Sequence, residues 1–226
     1  MVANNPLVFI DPDGRSLYLV VGEGQEEAIN TFIQIVNERL GDIVSIDVDE
    51  NGKVFFQGEI DQYALNVSAS SEAVAMFDVL NDAMDEDQGD VVLNLVQSDP
   101  NYTPVDPYEA IVDVDDVEKY NGSNTATAAG VMGHEIAEQT SMQRSGKRPD
   151  QSYVPAHKGP GVDAEDAING STRIDIMGIN RETSDISQDA KNGHIDLRYI
   201  KNGKLVIVRT HLKNGNFTKV EDIEIE

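Results

Sequence analysis

The 226-residue chain contains no cysteine. Structural disulfides, thiolate-ligated zinc and thiol nucleophiles are therefore excluded. Bases are scarce too: Lys and Arg number 17 against 41 Asp and Glu, a formal net charge of −24. Nucleic-acid binders carry the opposite field, because their affinity comes largely from neutralising phosphates, so DNA and RNA are excluded as the main partners. An anionic membrane surface is disfavoured on the same ground. No stretch approaches the roughly 20 apolar residues that span a bilayer. Met1-Val2-Ala3-Asn4-Asn5 has no basic region leading into an apolar run, so no secretory signal is readable. A Gly-x-Ser-x-Gly elbow, the mark of many serine hydrolases, is also missing. The apolar fraction of 39% is low for a globular protein but above the disordered extreme.

The acidic residues are spread along the chain and do not form a tail. They are densest at Asp82 to Asp87 and at Asp113 to Glu118. The first run is expected to end a helix and the second to edge a strand, both as solvated faces. Neither has the Asp-x-Asp-x-Asp-Gly spacing with a following bidentate Glu that an EF-hand requires.

Apolar periodicity predicts an α+β chain in a single domain. SLYLVV, Ser16 to Val21, reads as a strand. Ala28, Ile29, Phe32, Ile33, Ile35, Val36 and Leu40 recur at helical spacing from Gln25 to Leu40, with Gly41 as the stop. Ile43 to Val48 and Lys53 to Phe56 flank Asn51-Gly52 and predict a hairpin. Ser70-Ser71 can cap a helix from about Glu72 to Met84. Val91 to Val96 reads as a buried strand and Tyr108 to Val114 as a weaker one. A long helix is expected from Thr125 to Arg144, ended by Ser145-Gly146, and a short one between Pro160 and Ile168, ended by Asn169-Gly170. Three runs, His194 to Ile200, Leu205 to Thr210 and Phe217 to Ile225, are separated by Asn202-Gly203 and Asn214-Gly215 and predict a β-meander.

The sharpest chemical signal is Gly133-His134-Glu135-Ile136-Ala137-Glu138-Gln139 inside the long helix. His134 and Glu138 are four apart and share one helical face, so an imidazole and a carboxylate can reach one cation. Glu135 lies about 100° around the helix, where it can address a water on that cation without ligating it. This is the spacing of His-Glu-x-x-His zinc sites with the second His replaced by Glu. One further His completes a two-His, one-carboxylate set. Of the four in the chain, His157 is the first choice, because it follows the motif across a Gly/Arg/Pro-rich turn and precedes a helix able to fold back over the first. Glu165 is either a ligand in place of Glu138 or a partner that orients His157. His194 and His211 fall in expected strands and read as structural. The competing reading is that Glu135 and Glu138 are the wet side of an amphipathic helix. The small residues Ala126 to Gly130 tell against it, since they suit a helix packed closely against neighbours.

Two stretches resemble known proteins. Asn4-Asn5-Pro6-Leu7-Val8-Phe9-Ile10-Asp11-Pro12-Asp13-Gly14 resembles the closing phrase of the RHS repeat-associated core, after which a variable C-terminal effector begins. That resemblance implies a division into residues 1–14, the tail of an RHS-type core, and residues 15–226, an effector domain. It also implies that Met1 is not where the natural polypeptide starts, that the source is bacterial, and that the product is secreted or delivered into a target cell. The segment with Gly133-His134-Glu135-Ile136-Ala137-Glu138-Gln139, Ala156-His157, Ala164-Glu165-Asp166 and Asn169-Gly170-Ser171-Thr172-Arg173 resembles zincin-like effector domains. By that resemblance His134, Glu138 and His157 bind Zn2+, Glu135 is the catalytic base, and Arg173 either binds a substrate carboxylate or oxyanion or pairs with a nearby acid. The expected function is a zinc-dependent hydrolase, a peptidase acting on protein or peptide as a toxin tip, with a cognate immunity or shell protein as a further partner. The alternative is a non-catalytic metal-binding or partner-binding module. A magnesium nuclease is disfavoured by the charge of −24.

Overall fold

The computed structural model describes residues 16–85, 87–99, 104–174 and 192–225. The fold is α+β. β1 (Leu17–Val21) leads into α1 (Glu27–Leu40), followed by a hairpin of β2 (Ser45–Val48) and β3 (Val54–Gln57). α2 (Ser71–Ala83) starts where Ser70 accepts the Ala73 N–H in its side chain, as the sequence predicts. β4 (Val91–Val96), β5 (Val105–Asp106) and β6 (Ile111–Asp113) complete a mixed sheet in the order β1-β4-β6-β5. β1, β4 and β6 run parallel, and β5 turns back antiparallel at the edge. β4 is buried on one face only, so its apolar run alternates between core and a half-covered surface.

Two expectations fail between residues 104 and 118. The strand expected from Tyr108 to Val114 shrinks to Ile111–Asp113, and the acidic run 113–118 is not the solvated edge of a strand. Val114–Glu118 form a short helix, α3, and both Asp113 and Asp116 are buried. The cause is backbone hydrogen bonding. Asp113 accepts N–H bonds from Ser98, Asp99, Asp115 and Asp116, which caps α3 and closes the loop after β4. Asp116 accepts the Phe217 N–H at 3.0 Å from the C-terminal sheet.

α4 (Ala128–Arg144) is the long central helix. It begins three residues later than periodicity predicts, because Thr127 caps it: the Thr127 hydroxyl accepts the Gly130 N–H and itself donates to Asn169 Oδ1. The segment after α4, expected as a turn, is helical. α5 (Pro149–Ala156) runs into one wide helical turn at His157–Gly161 and then α6 (Val162–Asn169). α6 lies so close to α4 that a Cβ on Gly130 would fall 2.1 Å from Asn169 Oδ1. The small residues before the motif thus serve the close packing expected of them.

The C-terminal strands form a second, antiparallel sheet in the order β10-β9-β8-β7, from β7 (Thr172–Arg173), β8 (Asn192–Lys201), β9 (Lys204–Lys213) and β10 (Asn216–Glu224). The meander matches expectation, with β8 and β9 longer than expected and β10 starting one residue earlier. Asn202 and Asn214 adopt positive φ ahead of their glycines, the backbone a two-residue hairpin demands. Phe32, Met76, Leu80, Leu93, Leu95, Met132 and Ile136, from α1, α2, β4 and α4, are fully buried in one core beneath the mixed sheet. One face of α4 is committed to that core. The adjoining face carries His134 and Glu138 toward the turn at His157–Gly161 and toward α6.

Candidate metal centre

His134 Nε2, Glu138 Oε2 and His157 Nδ1 converge. The two ring nitrogens are 2.9 Å apart, Glu138 Oε2 is 2.8 Å from His157 Nδ1, and it is 3.3 Å from His134 Nε2. These three residues are the one group of metal-ligating side chains found close together among the described residues. Helical periodicity places the first two, and the turn at the end of α5 delivers the third. All three are enclosed: side-chain exposure is 3% for His134, 1% for Glu138 and 15% for His157. The wet-face reading of Glu138 and of the equally buried Glu135 therefore falls.

The second nitrogen of His134 fixes how the ring is used. Nδ1 lies 2.9 Å from Glu165 Oε2, a carboxylate that only accepts, so Nδ1 carries a proton and donates it. In the neutral ring, Nε2 then presents its lone pair to the other two donor atoms. Glu165 thus acts on His134; the expectation that it orients His157 is corrected. The reason is placement on α6, one helical turn from the close contact with α4. Glu165 is itself held by Arg173 Nη1 at 3.0 Å and by the Tyr199 hydroxyl. Arg173 is buried in that pairing, which makes it unavailable to a substrate carboxylate or an oxyanion.

Charge accounting explains what the cluster lacks. Glu135, Glu138 and Glu165 are buried carboxylates, and Arg173 is the buried guanidinium that faces them. With neutral imidazoles, two negative charges remain in excess, the complement of a divalent cation. Protons otherwise meet the imbalance. Burial alone would lower the His134 pKa, but hydrogen bonds to Glu138 and Glu165 overcome it and raise the value to about 10. Burial drives Glu135 up to about 8. Burial opposes ionisation of Glu165 as well, but Arg173 and His134 outweigh it and hold that carboxyl down at about 2. Glu138 is lowered against its own burial by the two imidazoles. The triangle atoms Glu138 Oε2 and His157 Nδ1 are engaged with each other and with His134 Nε2, while the buried Glu138 Oε1 and His157 Nε2 have no hydrogen-bond partner among the described residues. A His-Glu-His group that can hold a metal ion, at the cost of displacing protons, is the result.

His194 and His211 sit opposite one another on β8 and β9, and His211 pairs with Glu221 at 2.7 Å. They take no part in the cluster, as their strand positions predict. Sequence reasoning missed Tyr199, although alternation from His194 to Ile200 marks it as facing the same way as Leu197 and Ile195. It also missed the ring series Tyr108, Tyr153, His157 and His134, whose successive centroids are 5.3, 5.3 and 4.7 Å apart from the exposed Tyr108 inward. No protein-family model, curated protein or solved structure matches the chain in the three comparisons made.

Proposed function

We propose that the chain is a zinc-dependent hydrolase, of the kind that cleaves peptide bonds. The observation that carries the reading is the 2.8–3.3 Å triangle of His134 Nε2, Glu138 Oε2 and His157 Nδ1 with a buried carboxylate one residue along the same helix. Ligand atoms around a tetrahedral zinc with bonds of about 2.0–2.2 Å are separated by about 3.3 Å, so three corners of such a shell are nearly preformed. Two His and one Glu is a known hydrolytic set that keeps a fourth position open. Bound there, zinc would supply a Lewis acid that brings the pKa of water to about 7 and polarises a carbonyl.

Glu135 does the proton work in this reading. It is a buried carboxylate outside the donor triangle, and with a divalent cation in place of the proton it holds in the metal-free cluster it would be ionised, able to take a proton from an attacking water and return it to the leaving amine. His134 and His157 supply neutral nitrogen donors, and Glu138 supplies the one formal negative charge of the ligand set. Tyr153 packs against the His157 ring and Tyr108 against Tyr153. The wider role, an effector tip delivered from an RHS-type polypeptide and restrained by a cognate immunity protein, rests on residues 4–14, which lie outside the described residues.

Glu135→Gln tests the reading. It is expected to keep stoichiometric zinc in the purified protein and to lower peptide hydrolysis, or toxicity in a sensitive cell, by about 10²–10⁴-fold. Zinc-loaded wild-type protein with no hydrolytic activity, and no change on Glu135→Gln, favours the second reading, a non-catalytic metal site. The near-complete enclosure of His134 and Glu138 is the observation on that side.

A further inference from the structure

The C-terminal sheet contributes two residues to the cluster, and their register is the clue. Arg173 on β7 and Tyr199 on β8 are directly opposed partners of an antiparallel ladder. Opposed partners point to the same face with Cβ atoms about 4.5–5.5 Å apart, and a slip of one residue would turn one of them to the opposite face. Both reach Glu165: the Arg173 Nη1 donates to Oε2 at 3.0 Å and the Tyr199 hydroxyl donates to Oε1. Oε2 also accepts the Nδ1 proton of His134 at 2.9 Å. Each carboxylate oxygen is thereby engaged, and the plane of Glu165 is set by groups from a different sheet. Asp166 Oδ1 accepts the Arg173 backbone N–H at 2.7 Å, which ties the end of α6 to the start of β7. Tyr199 is completely buried, so its hydroxyl has no solvent to turn to.

We propose that Arg173 and Tyr199 are positioning residues that act through Glu165 to fix the tautomer and the ring plane of His134, so that Nε2 faces the metal-binding triangle. This inference rests on the metal reading above, because it gives the lone pair of Nε2 its purpose. The meander is then part of the metal centre, although none of its residues is a ligand. A partner of this kind raises ligand basicity and limits ring rotation, and its loss typically costs about 10–100-fold in metal affinity.

The test uses the full chain with Zn2+ in a chelator competition, together with the Nδ1–H proton resonance of His134 by NMR in metal-free and zinc-loaded protein. Tyr199→Phe removes one donor with little change of shape and is expected to weaken zinc binding about 10-fold. Arg173→Gln is expected to cost about 100-fold, and Arg173→Lys to recover part of that loss. In both weakened variants the Nδ1–H resonance should broaden or disappear through exchange. A purely structural role would lower the denaturation midpoint and leave the zinc affinity and that resonance of the folded protein unchanged, and such a result overturns the proposal. If wild-type protein takes up no zinc, the metal reading fails by itself. The positioning role is still judged in that case, because a wild-type resonance in metal-free Tyr199→Phe and Arg173→Gln would refute it separately.

Discussion

Gly161 gives the most direct test of the metal centre, because its backbone passes over the donor edge of His134. A Cβ built there would lie 2.8 Å from His134 Nε2, 3.0 Å from Cδ2 and 3.1 Å from Cε1. The backbone at Gly161 is helical, with φ −64°, so alanine is conformationally acceptable and gains up to about 1 kcal/mol of helix propensity. The cost falls on the imidazole. Ordinary contact starts near 3.4 Å, so relief of a 2.8 Å approach requires a shift of about 0.6 Å between methyl and ring. Metal sites tolerate about 0.2 Å in ligand distance. The ring cannot yield toward Glu165, which already holds Nδ1 at 2.9 Å, so it swings Nε2 away from Glu138 and His157. Gly161→Ala is therefore expected to weaken zinc binding by at least about 100-fold in chelator competition, comparable to losing a supporting residue outright. Urea denaturation of the metal-free protein should move by less than about 1.5 kcal/mol, since propensity and crowding oppose one another. Unchanged zinc affinity in Gly161→Ala would show that Nε2 does not face the ion.

Two further substitutions probe the frame around the site. Gly130→Ala would drive a methyl into Asn169, whose Oδ1 accepts both the N–H and the hydroxyl of Thr127 at 2.9 and 2.7 Å. A gain of about 1 kcal/mol in propensity is outweighed by two hydrogen bonds of about 1 kcal/mol each and by overpacking, for a net loss of about 2 kcal/mol in guanidinium denaturation. A more stable variant would contradict the close α4–α6 packing. Asp116 supplies the pH test. Burial, with help from Asp113, raises its carboxyl from 3.8 to about 6, so the folded state holds its proton more tightly than the unfolded chain does. Stability from this group is present below pH 4 and is lost as pH rises to 6, a change of up to about 3 kcal/mol at about 1.4 kcal/mol per pKa unit. Asp116→Asn can keep the acceptor for the Phe217 N–H and removes the charge. It should stabilise the protein at pH 7 by about 1–3 kcal/mol and flatten the stability profile between pH 4 and 6. Lower stability at pH 7 would refute the assignment.

Local chemistry made much of the fold legible. α1 shows a full apolar stripe, α2 has a serine cap, and the turn of the hairpin and both turns of the meander are written as Asn-Gly. Two stretches misled because a signal has two meanings. Pro149 after Arg148 reads as a turn, but proline is equally at home in the first helical position, and α5 begins there with too few apolar residues to show a stripe. Asp113 to Glu118 alternates with valines like a strand edge. Yet an Asp ahead of acidic residues is also a helix start, and Asp113 is used as a cap for α3.

The site divides along the same line. His134 and Glu138 were visible because a single helix relates them, and His157 because few histidines were left to choose from. Glu165 was visible as a nearby acid but was assigned to the wrong ring, since which imidazole it meets depends on how closely α6 approaches α4. The glycines of α4 allow that approach, and no spacing rule encodes its consequence. Arg173 and Tyr199 are joined only by the register between β7 and β8, a relation that sequence distance conceals. The charge of the chain points away from the centre for a similar reason. A formal −24 describes a surface, whereas the centre is governed by three buried carboxylates facing one buried guanidinium. An acidic exterior needs no partner because water solvates it. An interior excess of two negative charges does need one, and His134 and Glu135 are raised to about 10 and about 8 because, without a metal, protons have to fill that role.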